Sequence, residues 1–232
     1  SIAMVSMTFA FAQKKEIANA VKAIDAGDTA TANAQISAAE SAMGGKTYLL
    51  EPSVLEQFYY AKGLSLLKTG KTAEGAAYLA KMNDLGKMKI FTGKKKKKNK
   101  VYYVGKAEAD ASGIQGLKEE SYSPTLVSKL GSTINPVIES ANKAAIDAYN
   151  AKNYQTAAQK FGEVYNLLKA AGQENKQYLY YSGLNYALAD KKSEAIDVYN
   201  QLINSGYTGV ETTYTAKNKK SGTVESLDKT SW

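Results

Sequence analysis

From Glu16 to Ala26 the apolar positions Ile17, Ala20, Val21 and Ile24 recur at three and four, the period of one helical face. Gly27-Asp28 interrupts that run, and a second helix is expected from Thr29 to Met43. Pro52-Ser53 opens a third through Tyr60 to about Lys68, and Thr69-Gly70-Lys71 turns the chain into a fourth from Thr72 to Leu85. The second half predicts helices over 136–151, 153–170, 175–189 and 191–204, broken at Lys152-Asn153, Gly172-Gln173-Glu174 and Asp190-Lys191. The pattern therefore reads as four antiparallel helix pairs.

The two halves repeat each other. Phe58-Tyr59-Tyr60-Ala61-Lys62-Gly63-Leu64 returns as Tyr178-Leu179-Tyr180-Tyr181-Ser182-Gly183-Leu184, and Ala23-Ile24-Asp25-Ala26 returns as Ala145-Ile146-Asp147-Ala148. Each half also carries a β-forming segment after its helices. Lys89-Ile90-Phe91-Thr92-Gly93 and Val101-Tyr102-Tyr103-Val104 flank a lysine run, which predicts a β-hairpin with lysines at its tip. Thr212 to Ala216 and Thr223 to Glu225, around Lys217-Asn218-Lys219-Lys220-Ser221-Gly222, predict a second hairpin. Between them, 107–136 is rich in Gly and Ser and reads as a linker with a short helix.

The helix pairs resemble the tetratricopeptide repeat, a helix-turn-helix unit of about 34 residues with a large residue, Gly and Tyr in its first helix and Ala plus an aromatic in its second. Leu179, Gly183, Tyr186, Ala195 and Tyr199 carry the resemblance best. Tyr59, Gly63, Leu66, Gly75 and Leu79 follow it with Gly for Ala and Leu for the aromatic. Tyr154, Ala157 and Phe161 match a second helix, while Ala145 stands where its first helix should have Gly. The N-terminal pair keeps little beyond Gly27 and Ala32. A generic helical bundle is the competing reading.

The expected fold is thus predominantly α: a tetratricopeptide-like α-solenoid of about four helix pairs with two Lys-rich β-hairpin insertions. Its expected divisions are 1–12, 13–86 with pairs one and two, 87–136 with hairpin and linker, 137–206 with pairs three and four, and 207–232 with the second hairpin. Close packing explains the residue types. Gly63 and Gly183 let paired helices approach, and Tyr59, Tyr154, Phe161, Tyr186 and Tyr199 are expected to fill the core. The family resemblance implies a protein partner held on the concave face of the first helices. Counted from the two glycines, that face receives Gln57, Tyr60, Leu64 and Leu67 in one half and Gln177, Tyr180, Leu184 and Leu188 in the other.

Composition narrows the chemistry. The 232 residues include no cysteine and no histidine, and all 30 basic residues are lysine, so thiol catalysis, imidazole proton shuttling and bidentate arginine forks are excluded. No metal site or cofactor is expected. Glu119-Glu120 lies in no context that would shift a carboxylate, and Ser121-Tyr122-Ser123 has no activating base. Gly44-Gly45-Lys46-Thr47 resembles the end of a phosphate loop, but Glu40 occupies the place of the upstream glycine, so it reads as a helix terminus. A non-enzymatic protein is expected.

Two features bear on location and on a second function. Residues 1–12 are uncharged, mostly apolar and close on Ala10-Phe11-Ala12 before Gln13-Lys14-Lys15-Glu16, as at the end of a secretory signal peptide. The alternative is a short apolar helix on the domain. Export predicts the periplasm or outer-membrane periphery of a Gram-negative bacterium. Lys94, Lys95, Lys96, Lys97, Lys98 and Lys100 supply most of the formal charge of +8. They read either as a solvated hairpin tip or as a contact for anionic polymer or lipid headgroups. Nucleic acid is the weakest candidate, because no arginine is present to read bases.

Overall fold

The computed structural model describes residues 2–95, 99–210, 214–217 and 224–227, and of 2–12, 132, 214, 216 and 224–227 it describes the backbone only. The chain is predominantly helical with a small three-stranded sheet. The long helices are α1 (Ile2–Asp25), α2 (Thr29–Met43), α3 (Pro52–Lys68), α4 (Thr72–Asp84), α6 (Gly131–Asn150), α7 (Tyr154–Ala170), α8 (Lys176–Leu188) and α9 (Lys192–Asn204). A short α5 (Lys106–Ala111) lies in the spacer, as expected. Two helices begin earlier than the pattern suggests. The backbone of 2–12 continues into α1, because nothing between Ile2 and Asp25 is Gly or Pro to stop it. Helix α6 starts at Gly131 and carries Pro136 inside it.

One turn closes the first helix of each of the four pairs. Asp28, Lys71, Asn153 and Lys191 each donate their amide to a carbonyl five residues back, on Ala23, Leu66, Ala148 and Tyr186, at 2.8, 2.9, 2.8 and 2.9 Å. This is the Schellman closure, which needs a left-handed residue just before the donor. Gly27 and Gly70 fill that place in the first half, both at φ 80°, and Lys152 and Asp190 in the second, at 58° and 56°. Side chains then start the next helices: Asp28 accepts from the Thr31 amide at 3.0 Å and Asn153 from the Thr156 amide at 3.3 Å. The same local chemistry thus makes all four helix pairs.

Close approach within the pairs falls at the glycines. A methyl on Gly63 would lie 2.6 Å from Leu79 Cγ, one on Gly75 2.8 Å from the Gly63 carbonyl oxygen, and one on Gly183 2.9 Å from Tyr199 Cε1. Of the aromatics expected in the core, Phe161 is buried, whereas Tyr59, Tyr154, Tyr186 and Tyr199 are half-buried. They lie at the edges of the pairs, where a phenol can keep its hydroxyl wet. The main core runs from Ile17, Ile24 and Ile36 through Leu55, Phe58 and Leu79 to Leu130, Ile134, Val164 and Leu167, so one apolar body spans both halves. Helix α4 packs on α7 at that junction. Asn83 donates to the Lys169 carbonyl at 2.7 Å, and Lys169 pairs with Asp84 at 3.1 Å.

Both hairpins are present. Strands β1 (Ile90–Lys95) and β2 (Asn99–Val104) pair antiparallel, with Ile90 opposite Val104 and Lys94 opposite Lys100. The base of this hairpin is anchored: Val101 and Tyr103 are buried, and Tyr103 stacks on Tyr48 at 5.4 Å. Strands β4 (Tyr214–Lys217) and β5 (Val224–Leu227) form the second, with Tyr214 opposite Leu227, while 211–213 and 218–223 lie outside the described residues. The segment after β2 is more ordered than a linker. Strand β3 (Lys118–Glu120) adds to the free edge of β1. Next to it Glu56 of α3, 1 % exposed, accepts from the Tyr122 hydroxyl at 2.5 Å and the Leu126 amide at 2.6 Å, which clips the segment to the helices.

Candidate functional site

The concave-face residues expected from the sequence divide between the halves. In the first, Tyr60 is 4 % exposed and Leu64 is equally buried, both within the core beside α1. Burial pushes the Tyr60 hydroxyl well above its usual range, and its bond to Asp25 at 2.7 Å adds to the shift. Gln57 and Leu67 are half-buried. Tyr60 and Leu64 therefore offer no surface to a partner, contrary to the expectation. The cause is direct packing of α1 on α3, in a half where Ala61 is buried as well.

The second half is open at the equivalent place. Tyr180 is 40 % exposed and Leu188 50 %, with Leu184 and Gln177 half-buried beside them on α8. Helix α6 adds Ile146 and Tyr149, both exposed. Helices α6 and α8 make no contact comparable to that of α1 with α3. Tyr181 stands where the first half has Ala61, and its ring packs among aromatics of α7 and α8: it lies 5.4 Å from Phe161, 6.0 Å from Tyr180 and 6.2 Å from Tyr178. Asp147, the repeat of Asp25, is not taken by a tyrosine. It pairs with Lys143 one turn earlier at 2.6 Å. In the aligned heptapeptides Ala61 against Tyr181 is one difference between the half whose seam is closed and the half whose seam is open.

The lysine cluster lies at the far end of the first hairpin. Lys94, Lys95 and Lys100 are exposed, and Lys96, Lys97 and Lys98 lie outside the described residues. Lys94 faces Lys100 in register, a like-charged cross-strand pair. Lys95 is partly engaged, with its ammonium 5.2 Å from the Tyr48 ring.

A further cleft, not anticipated from the sequence, opens between the end of α2, α3, α4 and the base of the hairpin, with a volume of about 480 Å³. Phe58, Tyr59 and Tyr78 form its floor; Phe58 meets Tyr78 edge-on at 6.2 Å, and Tyr59 meets it at 6.1 Å. Burial, with the Glu108 charge adding to it, pushes the Tyr59 hydroxyl up to about 12. Tyr59 was expected as core filling, and Tyr78 belongs to none of the repeat motifs. Only the tertiary arrangement reveals that their rings share an open wall.

No family model, curated protein or solved structure matches this chain.

Proposed function

We propose that this chain is a non-enzymatic, tetratricopeptide-like scaffold of the bacterial cell envelope that grips an apolar segment of a partner protein in the seam between α6 and α8. The open seam carries the reading. Tyr180, Leu184 and Leu188 of α8 and Ile146 and Tyr149 of α6 are apolar or aromatic side chains left exposed or half-buried on the two helices, and we take them as the two walls of the seam. Aromatic anchors on a preformed groove are the usual source of binding energy for a docked peptide or helix. Water-exposed side chains of this size contribute to stability chiefly when something covers them.

The ionisable groups support a binding role over a catalytic one. Among the described residues the displaced tyrosines are shifted upward and the displaced carboxylates Asp28 and Glu174 downward, so these groups hold their protonation states more firmly at neutral pH. General acid–base work calls for the opposite tuning. Envelope location rests on the apolar residues 1–12.

Photo-crosslinking tests the scaffold reading. A crosslinker at position 149 or 188 should capture one partner from envelope fractions, and one at position 203, exposed on α9 outside the seam, should not. Equal labelling from all three positions would remove the proposal. The Lys94–Lys100 juxtaposition favours a second reading, in which the hairpin tip meets an anionic polymer or lipid surface that relieves the repulsion. Binding of that kind would fade between low and physiological salt, whereas capture in the seam would persist.

A further inference from the structure

The cleft over Phe58, Tyr59 and Tyr78 is separate from the seam, and its charges point to a class of ligand. Two of the three carboxylates on its rim are neutralised: Glu40 by Lys62 at 2.9 Å and Asp84 by Lys169 at 3.1 Å. Two charges of opposite sign are left over. Among the described residues Lys81 has no carboxylate within 4.0 Å, and its ammonium lies 5.3 Å from the Tyr78 ring centroid. Among the described residues Glu108 accepts only the Val104 amide, at 3.2 Å, and forms no ion pair. Both line the same cleft, yet they do not reach each other across it. Tyr59 and Tyr78 line the same cleft, and among the described residues their hydroxyls donate to no acceptor.

We propose that this cleft binds a small zwitterion with an apolar body, an amino acid or dipeptide with a large side chain, whose carboxylate meets Lys81 and whose ammonium meets Glu108. The three rings form an apolar bed for the side chain, and a ligand ammonium over a ring face gains a cation–π attraction as well. About 480 Å³ lies at the small end of ordinary ligand pockets, which suits a ligand of one or two residues. Met88, exposed and packed across Gly105, provides a flexible lip at the entrance. A neutral sugar would use the rings but leave the two charges unmet. The closed ion pairs around the rim leave no net charge to hold a purely anionic or cationic ligand.

Calorimetric titration of the full chain tests this with four probes: L-phenylalanine, the dipeptide Phe-Ala, N-acetyl-L-phenylalanine and L-phenylalaninamide. The zwitterionic probes should bind saturably, and loss of either ligand charge should weaken binding about tenfold or more. Lys81→Gln should erase the preference for phenylalanine over its amide, and Glu108→Gln the preference for phenylalanine over its N-acetyl form. Leu188→Glu should leave all four titrations unchanged, since position 188 lies in the seam, so this result stands or falls apart from the scaffold reading. The proposal is overturned if neither zwitterion saturates by about 10 mM, if the blocked probes bind as well as phenylalanine, or if maltose binds and the zwitterions do not.

Discussion

The Tyr122 hydroxyl donates to Glu56 at 2.5 Å inside the protein, where the carboxylate is sealed from water and, among the described residues, no lysine pairs with it. A buried carboxylate without a cation is held by its hydrogen bonds alone, and here the donors are Tyr122 and the Leu126 amide. Tyr122→Phe keeps the ring and removes one of the two. It should cost about 1–3 kcal/mol, read as a lowered midpoint in thermal or urea unfolding. Tyr149→Phe, at an exposed phenol, should leave the midpoint where it is. If both substitutions are silent, the segment from β3 to α6 is not secured through Glu56.

The four helix-pair turns give a second prediction, because two of them hold L-residues where the other two hold glycine. Lys152→Gly should stabilise the protein by about 0.5–1 kcal/mol, the relief of a left-handed backbone less the entropy glycine adds to the unfolded chain. Asp190→Gly should gain less, since aspartate tolerates that conformation better than lysine. The ion pair of Asp190 with Lys192 is exposed on both sides and offsets little. Equilibrium urea unfolding would decide it, and a loss of stability in Lys152→Gly would contradict the shared turn geometry.

These turns also show which parts of the fold are legible in sequence. Helix pairs, glycine contacts and the first hairpin are set by local patterns, so Gly27, Gly63, Gly70 and the Ile90–Val104 pairing could be anticipated. Strand β3 could not: Lys118-Glu119-Glu120 has no strand propensity and exists through its partners Ile90, Phe91 and Thr92. The candidate site was half legible for a similar reason. Counting along α3 and α8 places Tyr60 and Tyr180 on equivalent faces, but their exposure depends on whether α1 or α6 closes over them. That closure is a property of several helices together, which no single stretch of sequence displays.

Acid should weaken the junction of the halves through Glu174. Its burial alone would raise the carboxyl, but the Tyr165 hydroxyl at 2.7 Å and the charges of Lys87, Lys169 and Lys176 outweigh that and hold it below its usual 4.5. A depressed folded-state value means the unfolded chain takes up the proton first as pH falls. The stabilisation is thus complete above about 5 and is lost on descending through 4.5 and below. Glu174→Gln retains an acceptor for Tyr165 and removes the charge. Its stability deficit against the parent should be present at pH 7 and shrink as pH falls below 4.5. A deficit independent of pH would show that packing, not charge, makes the contribution.

The difference between Tyr60 and Tyr180 separates structure from function most directly. Tyr60→Ala empties a core site and strands Asp25, so it should cost about 3–5 kcal/mol and lower the unfolding midpoint sharply. Tyr180→Ala acts at an exposed ring and should stay within about 1 kcal/mol of the parent, with helix content unchanged by circular dichroism. Capture of the crosslinked partner should follow the reverse order. It should fail in Tyr180→Ala and in Leu188→Glu, both of which retain the fold. Tyr181→Ala adds a further test, because it puts on α8 the small residue that α3 carries at the equivalent position. Removing that ring should allow α6 and α8 to approach, shield Tyr180 and reduce capture, though Tyr181 itself contributes little of the exposed strip. Replacing the lysines at 94–98 and 100 with Ser should leave capture intact at physiological salt. If the lysine variant loses the partner while the Tyr180 and Leu188 variants retain it, the hairpin tip rather than the seam is the binding element.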